Sequence, residues 1–317
     1  MLINVTGLGY GDEAKGRCSA WYGEKYNADW FVKYNGANNA GHTVYKDGIK
    51  YALRHLPAGS LFGKKVIIDT GALINLPELK KELSELPYKV DLYISNNVHL
   101  ILPEHLEADS QGSQVGSTKK GIAYAYADRA LRKGIRVTQS WLDEYDIDAI
   151  LYKGLPPFTT NDVVLFESSQ GLMLDIDYGE YPFVTSSSIL PSGVYKIDLR
   201  VGVLKAYTTK VGIHPTSYEE VPGLSEKGGE FGTVTGRRRQ SYWNDVDELK
   251  FACSIVQPDE MVMTKIDILK DVPKIFIRKG GELLLIGNLD SYLNYMLENF
   301  PKIKYLSDSP QGELLKI

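Results

Sequence analysis

The chain is poor in cysteine: of 317 residues only Cys18 and Cys253 are cysteines, and their wide separation supports neither a disulfide framework nor a thiolate metal site. A surplus of positive charge is also missing. Lys+Arg 36 against Asp+Glu 40 leaves a formal net charge of -4, so no general field draws a nucleic-acid backbone. No apolar run approaches the length that spans a bilayer. The opening MLINVTGLGYGDE turns glycine-rich and acidic too early for a secretory signal, and the expectation is a soluble cytoplasmic protein. No internal repeat, low-complexity tract or linker interrupts the sequence, which predicts a single domain over residues 1–317. An apolar content of 43% is enough to bury a large core.

Short apolar or β-branched runs at 2–6, 31–34, 65–69, 91–94 and 163–166 predict strands, with helical spacing at 15–26, 77–86 and 121–133 between them. This alternation predicts an α/β fold with a mostly parallel central sheet flanked by helices. Further strands are expected at 201–207, 261–266 and 283–286, and helices at 245–256 and 290–299. Residues 168–240 are rich in glycine, serine, threonine and arginine and lack long helical patterns, as expected of elaborated active-site loops.

The segment GYGDEAKG at 9–16 follows the run LINVTG. A strand ending at Thr6, a glycine turn and a helix starting near Lys15 present free backbone amides to an anion, and Lys15 adds a mobile positive charge. Phosphate binding and a purely structural glycine turn both fit. The usual nucleotide loop is incomplete here, since no glycine precedes Lys15 and no serine or threonine follows it. Asp12 beside a phosphate needs a cation or a positively charged reacting group, which makes it a candidate Mg2+ ligand or proton acceptor, with Glu13 in support. In NGANNAGHT at 35–43, His42 follows a compact loop of carboxamides and glycines. An imidazole donates a proton near neutral pH, and asparagines read a heteroatom-rich ring. His55, His99, His105 and His214 have no metal-cluster spacing.

VGSTKKG at 115–121 precedes Arg129 and Arg132, whose spacing places them on one helical face, suited to a monophosphate or simply to solvent. FGTVTGRRR at 231–239 sets three arginines after glycine and threonine, a pattern for binding carboxylate or phosphate. Gln170 lies beyond the apolar run of VVLFESSQG, where its amide can polarise a carbonyl oxygen. MVMTKID puts Lys265 and Asp267 after another strand, where the carboxylate can accept from a guanine and the lysine stem can cover its face.

Together these segments resemble the adenylosuccinate synthetase family. GYGDEAKG is similar to its WGDEGKG motif, and NGANNAGHTV, RHLPAG, LFESSQG, YPFVTS, YTTKVG, FGTVTGRRR and TKID follow in the family's order, from Gly9 to about Ser309. The resemblance implies a P-loop-NTPase-like fold, a homodimer, and a ligase that joins L-aspartate to C6 of a purine nucleoside 5′-monophosphate through a 6-phosphoryl intermediate. It implies Mg2+ and a GTP donor, with ATP or dATP as alternatives. Asp12 would be the base at N1 and an Mg2+ ligand with the Gly41 carbonyl. Lys15 would stabilise the transferring phosphate, His42 would act as acid toward the oxygen, and Gln170 would hold the 6-oxyanion. Gly11, Glu13, Ala14 and Gly16 would line the donor loop. Asn39, Thr118 and Thr185 would contact the monophosphate substrate, which Arg132 would reach from the other subunit. Thr235 and Arg237 would hold the aspartate carboxylates, and Arg239 would contact the nucleotide. Lys265, Asp267 and Ser307 would surround the donor base.

Departures from the family pattern bear on the substrate. Ala14 stands where the family has glycine, and Glu167-Ser168-Ser169-Gln170-Gly171 stands for EGAQG. A serine hydroxyl or carbonyl beside Gln170 offers an acceptor for a 2-amino group, which IMP lacks and dGMP carries. The chain also resembles the compact branch of the family that includes phage enzymes acting on dGMP. The expected substrate is therefore dGMP, with IMP as the alternative. A noncatalytic guanine-nucleotide-binding regulator is a distant third possibility.

Overall fold

The computed structural model describes residues 1–112, 118–211, 218–232 and 236–317. The apolar runs form the strands of one sheet: β1 (Leu2–Gly7), β2 (Trp30–Lys33), β3 (Lys65–Ile68), β4 (Leu92–Ser95), β5 (Ile150–Tyr152), β6 (Val164–Gly171), β7 (Leu199–Lys205), β8 (Glu260–Thr264), β9 (Ile303–Leu306) and β10 (Leu315–Lys316). Their order across the sheet is β10-β9-β8-β7-β1-β6-β2-β3-β4-β5. Every neighbouring pair is parallel except β9 with β10. The helices are α1 (Lys15–Lys25), α2 (Leu76–Ser84), α3 (Pro103–Ser110), α4 (Ile122–Ala130), α5 (Gln139–Glu144), α6 (Leu224–Lys227), α7 (Val246–Val256) and α8 (Leu289–Asn299). This is the mostly parallel sheet flanked by helices that the alternation predicts.

Side chains two apart along each strand share a face, so the central strands feed cores on both sides of the sheet. Phe31, Val66, Ile68 and Leu165 pack with Cys18 and Tyr22 of α1, while Trp30, Val32, Ile67, Val164 and Phe166 form a second cluster. A third cluster joins Met261 and Met263 of β8 to Val246 and Ala252 of α7 and to Tyr292 and Met296 of α8. Among the described residues, no helix is long and apolar enough to cross a membrane.

Two differences from the expected elements have simple causes. The run at 283–286 is a strand, but it pairs antiparallel with Ile275–Lys279 in a side hairpin, leaving Leu283 and Leu285 about half exposed. Residues 42–53 form a second hairpin, His42–Lys46 with Ile49–Leu53, around Asp47 and Gly48 at φ 50° and 76°. That Asp-Gly pair, with positive φ at both positions, is the signal of a tight hairpin turn.

The Phe31 ring fixes how closely α1 approaches the sheet. A Cβ on Gly23 would lie 2.2 Å from Phe31 Cζ, and one on Gly59 would lie 2.1 Å from Cδ2, so the ring is gripped from both sides. Gly23→Ala would favour the isolated helix by up to about 1 kcal/mol, but the ring has nowhere to go and overpacking costs about 1–3 kcal/mol. We expect net destabilisation, read as a lower urea midpoint. A midpoint equal to or above that of the wild type would contradict this packing.

Candidate active site

The carboxyl ends of β1, β6, β7 and β8 open onto a cavity of about 800 Å3. Open parallel sheets place their ligands at this edge, where strand-end loops diverge. Among the expected residues, Gly11, Asp12, Ala14, Lys15 and Gly16 line it from the first loop, with Asn39, Gly41 and His42 from the second. Thr118, Gln170, Thr185, Arg237 and Arg239 line its middle, and Lys265, Asp267 and Ser307 its far end. Thr235 lies outside the described residues, as do residues 115–117 of the VGSTKKG segment.

The first loop turns on positive φ values at Gly11 (89°), Asp12 (63°) and Ala14 (65°). Ala14 adopts there the left-handed backbone that glycine would take without strain. Glu13 folds back beneath the loop. Its carboxylate accepts from the Gly9 and Gly11 amides at 3.1 and 2.8 Å and pairs with Lys15 Nζ at 2.6 Å. At 2% exposure and outside the cavity lining, Glu13 is the loop's internal anion, which corrects its expected place among the nucleotide contacts. Lys15 lines the cavity with its ammonium already paired.

His42 begins the second hairpin and gives its Nδ1 to Glu167 Oε1 at 2.5 Å, so Nε2 is the ring nitrogen left for a ligand. Burial and the nearby Lys33 charge lower the histidine's pKa, against an opposing pull from Glu167. Burial works to raise the Glu167 carboxyl, but His42, Lys33 and the Ala58 amide outweigh it and leave it below its ordinary value. Gln170, next to last in β6, sits at φ 58°, and its buried Oε1 has no hydrogen-bond partner among the described residues.

Asp12 Oδ2 lies 2.7 Å from Arg239 Nη1 and 3.3 Å from Lys205 Nζ. Lys205 also bonds Glu230 Oε2 at 2.8 Å, and Lys265 bonds Glu230 Oε1 at 2.9 Å. Burial alone would raise the fully buried Glu230 carboxyl, but Lys205, Lys265 and the Tyr207 hydroxyl hold it well below the usual carboxylate range. Glu167, Lys205 and Glu230 were missed by the sequence reading. The available signal was a charge within an apolar strand run, as in LFESSQG and VGVLK, which needs a buried partner.

Other expected residues sit elsewhere. Ser168 and Ser169 are fully buried and do not line the cavity. Ser169 donates its hydroxyl to the Asn35 carbonyl at 3.0 Å, and Ser168 lies beside the Tyr34 hydroxyl. The Ser169 hydroxyl is thus consumed inside the fold, while Ser168 Oγ is buried away from the cavity with no hydrogen-bond partner among the described residues. Arg132 follows α4 on the exposed surface at φ 62° and does not line the cavity.

Among the described residues, no three His, Cys, Asp or Glu side chains form a metal cluster. Asp12 and Gly41 bring one carboxylate and one carbonyl oxygen to the cavity wall. Mg2+ suits so sparse an oxygen set, because it keeps several waters and takes further oxygens from bound phosphates.

The buried imidazole supplies a test. With its folded pKa depressed, neutral His42 contributes to stability above pH 6.5, and that contribution is lost as pH falls below 6.5. Glu167→Gln removes the charge that favours the imidazolium, so His42 should stay neutral to a still lower pH in an NMR titration. An unchanged or higher midpoint would contradict the pairing.

A family model described as adenylosuccinate synthetase matches residues 4–155 and 145–283. The adenylosuccinate synthetase of Fusobacterium nucleatum subsp. nucleatum is 36% identical, over 88% of this chain and 80% of its own. That of Paramecium tetraurelia is 33% identical over 96% and 84%. The fully ligated adenylosuccinate synthetase of Plasmodium falciparum superposes with a TM-score of 0.85 at 25% identity, covering 99% of both chains. The succinoaminodeoxyadenylate synthetase of cyanophage S-2L, bound to dGMP and dATP, shares the fold with a TM-score of 0.81 at 19% identity, covering 99% of this chain and 95% of its own. With two family-model matches spanning most of its length and relatives above 30% identity over nearly all of it, the chain belongs to the adenylosuccinate synthetase family, ligases that join aspartate to a purine nucleotide.

Proposed function

We propose that this chain, acting as one domain, joins L-aspartate to C6 of IMP with GTP as phosphate donor. The observation that carries this is the convergence of three groups on one cavity. They are the Asp12 carboxylate, the His42 imidazole with Nε2 left for a ligand, and the Gln170 side-chain amide. Asp12 removes the N1 proton of the purine, which turns O6 into a nucleophile toward the γ-phosphorus. His42, protonated at Nε2 while Nδ1 stays on Glu167, serves as acid toward the oxygen, and the Gln170 amide N–H steadies the 6-oxyanion. The aspartate amine then attacks C6 and phosphate departs. Asp12 and the Gly41 carbonyl would hold Mg2+, which supplies charge neutralisation of the donor phosphates. Arg237 suits an aspartate carboxylate, Thr118 and Thr185 the monophosphate, and Lys265 with Asp267 the guanine of the donor.

dGMP is the second candidate substrate, with the Ser168-Ser169 departure in its favour and a cyanophage enzyme of the same fold solved with dGMP. Both serines are fully buried and neither lines the cavity, and the Ser169 carbonyl accepts from the Asn35 side-chain amide at 3.5 Å. IMP therefore leads. Aspartate-dependent phosphate release and product mass, compared for IMP and dGMP with GTP, ATP and dATP, should favour IMP with GTP. Dominance of dGMP would overturn the choice of purine, and dominance of ATP or dATP the choice of donor.

Asp12→Asn and His42→Asn should each keep the fold by circular dichroism and lower kcat by about 100-fold or more, since the first loses the base together with the charge facing Arg239, Lys205 and Mg2+ and the second loses the acid. A near-normal kcat in either removes that residue from the mechanism. Arg132, exposed and outside the cavity, fits a residue given to a partner subunit in a homodimer. Mixing the inactive Asp12→Asn and Arg132→Ala proteins should then restore up to about a quarter of wild-type activity through hybrid dimers with one intact site. No recovery after verified subunit exchange would count against a shared site.

A further inference from the structure

Glu230 is fully buried, both of its oxygens are used, and one partner of each, Lys265 and Arg239, lines the cavity. Oε1 accepts from Lys265 Nζ at 2.9 Å and from the Tyr207 hydroxyl at 2.5 Å. Oε2 accepts from Lys205 Nζ at 2.8 Å and Arg239 Nη1 at 3.4 Å. Those last two cations are the pair that meets Asp12 Oδ2. The carboxylate thus stands between the far end of the cavity and its reacting carboxylate, with one oxygen turned to each.

We propose that Glu230 is the positioning residue that sets the donor-base pocket and Asp12 in register. Its surroundings leave no slack. Lys265 is fixed a second time by the Gly228 carbonyl at 2.9 Å, and a Cβ on Gly228 would lie 2.2 Å from the Tyr207 hydroxyl and 2.9 Å from Glu230 Oε1. The Glu230 carbonyl accepts the Arg239 amide at 2.8 Å, so the residue also anchors the backbone of the arginine loop. A carboxylate held by so many donors in a dry setting cannot shift toward one arm without loosening the other. Docking of the donor base beside Lys265 is thereby tied to the placement of the cations around Asp12.

The proposal rests on the assignment above of Lys265 to the donor base and Asp12 to the chemistry, and steady-state kinetics of the full chain separates the two. Wild-type turnover of IMP, GTP and aspartate is the control, and its absence would sink both. Glu230→Gln keeps the shape and removes the charge. It should raise KM for GTP about tenfold and lower kcat about tenfold, leaving KM for IMP within about threefold, in line with loss of charge-assisted hydrogen bonds. Lys265→Met should chiefly raise KM for GTP and lower kcat to a smaller extent, and Lys205→Met the reverse, because releasing either lysine lets the shared carboxylate shift. In Glu230→Gln/Lys265→Met, KM for GTP should not exceed that of the worse single variant, because both changes release the same contact.

Multiplying effects in that double variant, or unchanged KM and kcat in folded Glu230→Gln, would overturn the coupling while leaving the ligase assignment intact. If Glu230→Gln does not fold, the Lys205→Met and Lys265→Met pair reads the same link. Effects on kcat and KM that fail to multiply support it, and effects that multiply independently overturn it.

Discussion

The contact on which the site depends is the Glu13 carboxylate turned inward under its own loop. Two backbone amides and the Lys15 ammonium hold it in a space that only glycine neighbours permit. A Cβ on Gly7 or Gly171 would come within 2.4 Å of a Glu13 carboxylate oxygen. With that anion satisfied, the loop can carry Asp12 at positive φ on its outer side and start α1 without a side-chain cap. The amides at the helix start are then left for a ligand rather than consumed locally.

A second constraint follows from burying charge at the ends of parallel strands. Each buried charge there must meet a partner, and here the partners come from segments outside the sheet: Glu167 on β6 with His42 of the second hairpin, and Lys205 on β7 with Glu230 of the loop after α6. Single buried charges would cost several kcal/mol, so the pairs stabilise one another mainly by avoiding that cost. Along the cavity, Asp12, His42 and Gln170 stand near β1, β2 and β6, and Lys265 and Asp267 stand beyond β8.

Much of this was legible in the sequence because the relevant signals are local. Strand runs followed by glycine or a polar residue located β1, β3, β6 and β8, and helical spacing located α1, α2, α7 and α8 within a residue or two. The motif order placed most of the cavity wall. Contacts across distant chain segments were hidden. His42 and Glu167 are 125 positions apart and Lys205 and Asp12 are 193 apart, so no spacing rule joins them. Which way Ser168 and Ser169 turn was likewise hidden, since successive side chains of a strand point to opposite faces, and the Asn35 loop claims Ser169. The run at 283–286 is the strand its three leucines favour, and only its pairing in a side hairpin was hidden from the sequence.

The central claim is that O6 of the purine is phosphorylated before aspartate displaces it. IMP carrying oxygen-18 at C6, turned over with GTP and aspartate, tests this directly. The account predicts that the label appears in the released inorganic phosphate, one labelled oxygen per product formed. Phosphate free of label, with the heavy oxygen lost to water, would contradict it.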